Sequence, residues 1–349
     1  MKKVILFKGK EKSIQRFHPW VFSGAIHKAD HDIKNGDIVE VCDAYGNFLA
    51  LGHFHDNSIA VRIFSFDPIK PDYAFWKRKF ESALQFRQLL GLTNNPDTTM
   101  FRLINGEGDG LPGLIIDVYE GNVVLQFHSY GMYLMKDHFV KILLEIMPDI
   151  KSIFNKSGLT LNDVENVEIN DELLYGTLNN VTGLENGIRF NIDIPGGQKT
   201  GFFLDQRDSR KMVGELAQGH RVLNMFCYSG GFSTYALRGG AEHVDSVDIS
   251  HKAIELTEAN IAMLGEDAVR RHQSYCEDVF NFLERMPDQA YDLIVLDPPA
   301  FAKHHRVKEQ GTKGYRNINR KAMEKLHSGG LLFTFSCSQA ISMDDFKTI

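Results

Sequence analysis

An α/β chain in which two smaller regions precede a parallel sheet is the fold class this sequence predicts, and three observations carry it. From about residue 186 onward, continuous apolar runs alternate with helical patterns, the signature of a doubly wound parallel sheet. Residues 1–72 instead hold short strands separated by turn signals, which makes a small β-barrel-like region. Pro68 and Pro71 interrupt that pattern, and residues 73–185 mix helices with strands as a small α+β region.

Taken in order, Ile38-Val39-Glu40-Val41 and Phe48-Leu49-Ala50-Leu51 flank a turn containing Gly46, and a third strand is expected over 59–64. Phe75, Phe80, Leu84, Phe86, Leu89 and Leu90, interleaved with Lys77, Arg78, Lys79 and Glu81, predict one amphipathic helix over 73–92. Strands follow at 114–119 and 123–127, then a helix over 133–147, a strand at 152–154 and an acidic irregular stretch over 162–172. After a strand at 188–194, the parallel sheet is expected at 222–226, 243–247, near 270–273, at 293–296 and at 331–335, with a helix over 252–263. Ser342 reads as a helix N-cap with Asp344 and Asp345 in the first turn. Sheets of this kind usually add a helix and two antiparallel strands after the fifth strand, so this one is expected to be cut short there.

The composition excludes whole classes. With 43% hydrophobic and 24% charged residues in 349, the chain is neither disordered nor collagen-like. The first residues turn polar at once and no window approaches the ~18 apolar residues of a membrane helix; a cytoplasmic protein without membrane contact is expected. Cys42, Cys227, Cys276 and Cys337 form no C-x-x-C pair, which argues against a metal site or a disulfide framework. The net charge of −6 conceals local excesses of the opposite sign. Residues 303–325 hold eight Lys/Arg against two acids, and Lys2, Lys3, Lys8, Lys10, Lys12 and Arg16 face only Glu11. Such patches suit phosphate contacts, although a solvated helix face is the plainer reading of any charge run.

In parallel sheets, ligands bind outside the carboxyl ends of the strands. After the first strand comes Phe226-Cys227-Tyr228-Ser229-Gly230-Gly231, whose paired glycines permit a tight turn and close backbone approach. Asp248 ends the second strand, where a carboxylate can accept both ribose hydroxyl protons, and Asp278 follows the third, where it can accept from an adenine amino group. Either Asp alone would more ordinarily be a helix cap; three matched positions on three consecutive strand ends imply an adenosine cofactor. The G-x-G-x-x-G pattern of a dinucleotide site and the lysine of a nucleotide-triphosphate loop are both missing, so S-adenosylmethionine fits best.

The fourth strand leads into Asp297-Pro298-Pro299-Ala300-Phe301-Ala302-Lys303, a rigid turn found in many nucleic-acid methyltransferases, where it faces the base. The fifth leads into Ser336-Cys337-Ser338. A buried structural cysteine is the ordinary reading of such a residue, but a thiol at a polar strand end beside Asp297 suits addition to C6 of a pyrimidine, which turns C5 into a carbon nucleophile. Asp297 would then stabilise charge on the ring near N3.

The whole chain resembles the RlmI-type large-subunit (23S) ribosomal RNA cytosine-C5 methyltransferases with an N-terminal PUA domain. The resemblance rests on Phe17-His18-Pro19-Trp20-Val21-Phe22-Ser23-Gly24, Gly108-Asp109-Gly110-Leu111-Pro112-Gly113, Gln198-Lys199-Thr200-Gly201-Phe202-Phe203-Leu204-Asp205-Gln206-Arg207, and the turns at residues 226, 297 and 336. It implies a PUA-like RNA-binding domain over 1–72, an α+β middle domain over 73–185 and a Rossmann-like class I methyltransferase domain over 186–349. By the same resemblance, Cys337 is the covalent nucleophile, Asp248, Asp278 and the 226–231 turn hold S-adenosylmethionine, and Thr200 and Gln206 close over its methionine part. Cys227 reads as packing within that turn. Arg207 would help orient the pocket, with Pro298, Pro299, Phe301, Lys303 and Arg306 on the RNA side. Ribosomal RNA is the implied partner, with no metal and with a homodimer left open. Two alternatives stand beside this reading: methylation of another base position such as a guanine, with Cys337 structural, and a cofactor- and RNA-binding assembly factor without turnover. A nicotinamide dehydrogenase is a distant third, disfavoured by the glycine pattern.

Overall fold

The computed structural model describes residues 1–161, 167–302 and 304–349, so the first half of the acidic stretch predicted over 162–172, and Lys303, lie outside the described residues. The chain forms two compact units, one of residues 1–184 with 192–204, the other of residues 185–191 with 205–349. The boundary expected near 185 falls at a passage between the units, whereas residue 72 lies inside the first of them.

The first unit holds two sheets. One has the order Trp20–Phe22, Ile59–Ser65, Phe48–Phe54, Ile38–Cys42, Lys2–Leu6, Ile26–Ala29, antiparallel except where Lys2–Leu6 runs parallel to Ile38–Cys42. Its strands Lys2–Leu6, Trp20–Phe22 and Ile26–Ala29 are three to five residues long, and only tertiary pairing makes strands of them. The other sheet runs Glu172–Gly176, Ser152–Asn155, Asn122–Phe127, Leu114–Tyr119, Met100–Asn105. Of its strands, Met100–Asn105 was not foreseen. Glu172–Gly176 begins where the predicted irregular stretch ends. Leu51 and Phe64 of the first sheet share one core with Trp76 and Phe80 of the helix Tyr73–Leu89 and with Leu114, Ile116 and Leu125 of the second sheet. That common core is why the barrel-like and middle regions pack as one unit.

In the second unit, five strands form a fully parallel sheet: β1 (Arg221–Met225), β2 (His243–Asp248), β3 (His272–Cys276), β4 (Tyr291–Leu296) and β5 (Leu326–Thr334), in the order β3-β2-β1-β4-β5. The longer helices are α1 (Arg207–Leu216), α2 (Gly231–Arg238), α3 (His251–Ala262), α4 (Val279–Arg285) and α5 (Lys308–Glu324), and two five-residue helices stand at Glu266–Arg270 and, capped by Ser342 as expected, at Met343–Lys347. Two cores cover the two faces, one around Val222, Val244 and Val295 and the other around Leu223, Val247 and Ile294, as alternation along buried strands requires. Two boundaries differ from expectation. β3 starts at His272 because Arg271 still caps the short helix Glu266–Arg270, its backbone N–H donating to the Asp267 and Ala268 carbonyls at 3.2 Å. Phe226 leaves the ladder because its φ of 57° lies in the left-handed region.

Two buried histidines set an acid limit on stability. His53 lies parallel to Trp76 at 6.0 Å in the first unit, and His272 meets Ser246 Oγ at 2.8 Å in the second. Burial pulls each imidazole from 6.5 down to about 4. Each is therefore neutral when folded and protonates more readily when unfolded. Stability is complete above pH 6.5 and is lost as pH falls towards 4, at up to about 1.4 kcal/mol per pH unit for each group. Thermal scans at pH 7.5 and pH 5 should show a lower Tm at pH 5. An unchanged Tm would mean that neither ring is shielded.

Candidate active site

The carboxyl ends of β1 to β5 bring most of the sequence-predicted residues into one unit. After β1, three left-handed residues in five, Phe226 (φ 57°), Tyr228 (φ 48°) and Gly230 (φ 69°), coil the backbone into a tight turn before α2. Gly230 cannot carry a side chain, since its Cβ would lie 2.6 Å from Thr257 Cγ2. Thr257 Oγ1 in turn donates to the Tyr228 carbonyl at 3.0 Å, and Asn260 Nδ2 donates to the Ser229 carbonyl at 2.8 Å, so α3 fastens the turn from behind. Cys227 is buried, and burial pushes its thiol up to about 12, which keeps it protonated and inert at neutral pH, in line with the packing reading.

Asp248 closes β2 with both oxygens engaged by backbone. Tyr228 N donates to Oδ2 at 3.0 Å and Ser250 N to Oδ1 at 2.9 Å. The carboxylate thus ties the β1 turn to the β2 end while keeping lone pairs for a further donor. Asp278, one turn beyond β3, caps α4 by accepting from Phe280 N at 2.9 Å and Asn281 N at 3.1 Å, both on Oδ1. Between these carboxylates in sequence stands Ile249, an apolar side chain 71% exposed at a strand end. Sequence reasoning missed it; its only signal was position, directly after the acidic residue. Two acceptor-only carboxylates, an apolar surface and a left-handed turn without a lysine fit an adenosine that lacks phosphates.

At the neighbouring strand ends, β4 pairs with β5 as far as Leu296 opposite Thr334, and Phe335 N donates to the Leu296 carbonyl at 2.9 Å. This register sets Cys337 beside the Asp-Pro-Pro turn. The thiol is exposed, and Sγ lies 3.8 Å from the Pro298 carbonyl oxygen. Asp297 Oδ2 accepts from Gln206 Nε2 at 2.6 Å, a coupling of two predicted residues that the sequence did not reveal. Ser338 is buried and holds the loop, its Oγ accepting from Ala302 N at 3.0 Å and meeting Tyr315 OH at 2.8 Å.

Two other predicted residues have structural partners elsewhere. Thr200 belongs to the first unit, where its hydroxyl donates to Asp117 Oδ2 at 2.6 Å and meets Tyr119 OH at 2.8 Å. Arg207 lies 3.6 Å from Glu185, a fully buried carboxylate that accepts two 2.8 Å hydrogen bonds from Arg210. Among the basic residues of 303–325, Lys308, Arg320, Lys321 and Lys325 are paired with Asp345, Glu324, Glu284 and Asp288. Arg306, Lys313 and Arg316 are exposed and form no ion pair with a described residue.

Known proteins match this arrangement. Residues 165–348 fit the family described as S-adenosylmethionine-dependent methyltransferase, and residues 4–66 fit a PUA-like domain. The chain is 38% identical to ribosomal RNA large subunit methyltransferase I of Erwinia tasmaniensis, across 99% of this chain and 88% of the relative. It is 36% identical to the Escherichia coli protein of the same name, again across 99% of this chain and 88% of the relative. A crystal structure described as a candidate methyltransferase complexed with SAH superposes with a TM-score of 0.83 at 25% identity, covering 100% of this chain and 89% of that one. No helix among the described residues is long and apolar enough to cross a membrane.

Proposed function

We propose, because this chain belongs to the S-adenosylmethionine-dependent methyltransferase family and carries a PUA-like domain, that it methylates C5 of a cytosine in large-subunit ribosomal RNA, in the cytoplasm. Its relatives, ribosomal RNA large subunit methyltransferases, support the RNA class. The observation that carries the chemistry is the exposed Cys337 thiol set against the carbonyl next to Asp297.

S-Adenosylmethionine, when bound, supplies a methyl group made electrophilic by its sulfonium. Asp248, Asp278 and the 226–231 turn would hold it by accepting hydroxyl and amino protons. Asp248→Asn should weaken cofactor binding by about 10- to 30-fold, from the loss of roughly 1.5–2 kcal/mol of charge-assisted hydrogen bonding. Calorimetric titration with the cofactor checks this, and an unchanged affinity would remove Asp248 from the site.

Cytosine C5 is unreactive until its ring is activated. The Cys337 thiolate would add to C6, breaking the 5,6 double bond and placing an electron pair on C5. Asp297, oriented by Gln206, would bond at N3 and stabilise the charge that spreads there. Once C5 is methylated, departure of its proton restores the double bond and expels the Cys337 thiolate. The target base must leave its stack to reach such a pocket. Mass spectrometry of ribosomal RNA nucleosides from cells with and without the gene tests the assignment: a 5-methylcytidine should disappear with the gene, and loss of a methylated guanine instead would overturn it.

A further inference from the structure

The methyltransferase unit also holds a groove whose lining does not include Cys337. It measures about 360 Å³ and is lined by Phe280 of α4, by Phe301 just past the Asp-Pro-Pro turn, and by Val307, Gln310, Gly311 and Gly314 at the start of α5. Two glycines one turn apart create its floor. A Cβ at Gly311 would lie 2.6 Å from Ala302 Cβ, so only glycine there lets the 297–302 loop lie against the helix, and one at Gly314 would crowd the Phe301 ring at 3.1 Å. Phe301 is steadied from behind by Tyr315, ring centres 4.7 Å apart. The groove thus presents aromatic walls and one amide, Gln310, able both to donate and to accept.

Charge selects the occupant. Arg306 directly precedes the lining residue Val307, Lys313 lies one turn beyond the lining residue Gln310 on α5, and Arg316 one turn beyond Lys313. Among the described residues of the segment these three exposed cations form no ion pair with a carboxylate, whereas four others are paired with acids. An uncompensated cationic rim attracts an anion and does not favour S-adenosylmethionine, whose sulfonium, ammonium and carboxylate sum to a positive charge. The volume lies at the lower end of the roughly 300–1,000 Å³ of small-ligand pockets, which suits a single nucleoside.

We propose that this groove receives an unpaired nucleotide of the RNA adjoining the target base, its base against Phe280 and Phe301 with Gln310 on its edge, and its flanking phosphates on Arg306, Lys313 and Arg316. Aromatic stacking of splayed bases beside backbone-tracking cations is the common grammar of single-stranded RNA recognition. This rests on the reading of the chain as an RNA methyltransferase, though not on the choice of C5. Two edges of the same turn thereby divide the labour: Cys337 on one side meets the reacting base, and the groove on the other fixes the strand that carries it.

The test compares the full chain with Lys313→Gln/Arg316→Gln, Phe280→Ala and Gln310→Ala variants, after melting curves have confirmed folding. Filter binding to a transcribed large-subunit ribosomal RNA fragment should weaken about tenfold for the double charge variant, with the slope of log affinity on log salt reduced by one to two. Phe280→Ala should weaken it about five- to tenfold with the salt slope unchanged, consistent with roughly 1–3 kcal/mol per stacked base. Gln310→Ala should alter the preference for the flanking base. Calorimetric titration with S-adenosylmethionine should be unaffected throughout. Equal RNA affinity in all variants would overturn the proposal, as would a parallel loss of cofactor affinity, which would give the groove to the adenine. Filter binding needs no methyl transfer, so a methylated base other than cytosine would sink the C5 assignment and leave this result readable.

Discussion

Cys337→Ala should lower 5-methylcytidine formation by about 10³-fold or more, the scale on which enzymes lose turnover when a covalent nucleophile is removed. Cofactor affinity should remain within twofold, because the residues assigned to S-adenosylmethionine lie on β1, β2 and β3, whereas Cys337 follows β5. A second readout isolates the covalent step. RNA carrying 5-fluorocytidine at the target, which has no C5 proton to lose, should trap the chain as an adduct that survives denaturing electrophoresis. Cys337→Ala should give none. Full activity in the alanine variant would make the thiol structural and turn attention to other base positions. Cys227 is the internal control: its buried thiol, held up to about 12, should form no adduct in either protein.

The largest stability effect is expected at Glu185. Its carboxylate is fully buried, accepts two hydrogen bonds from the guanidinium of a buried Arg210 and one from the Tyr235 hydroxyl at 3.1 Å, and lies 3.6 Å from Arg207. Glu185→Ala strands a buried guanidinium, which costs about 3–5 kcal/mol. At roughly 2–4 °C per kcal/mol for a unit of this size, Tm should fall by about 6–20 °C in calorimetry. Glu185→Leu combined with Arg210→Met removes both charges and should recover most of the loss, since a hydrophobic pair escapes the desolvation penalty. A double variant as unstable as the single one would show that packing, not charge, holds this position. Arg207, the first residue of α1, flanks the same cluster.

Much of this architecture is legible in the chain because periodicity and turn chemistry are local. The five parallel strands follow from continuous apolar runs, and their carboxyl ends mark Asp248, Asp278, Asp297 and Cys337 before any coordinate is known. Hidden strands such as Lys2–Leu6 and Ile26–Ala29 carry no such mark, since their lysines face solvent and only pairing partners make strands of them. The same holds for Phe226, whose hydrophobic character extends the strand pattern while its left-handed backbone ends it.

The amino-acid sequence by itself therefore determined the fold class, the cofactor class and a short list of candidate side chains, because each depends on residues close together along the chain. Only the tertiary structure decided which of them meet. It tied Asp248 to the Tyr228 amide, joined Gln206 to Asp297 across 91 positions, placed the Cys337 thiol against Pro298, and separated the paired from the unpaired cations of α5. Those pairings are set by strand order and helix packing. Contacts of that range leave no local pattern in the sequence, since the chain entropy lost in forming them is repaid only by the completed core.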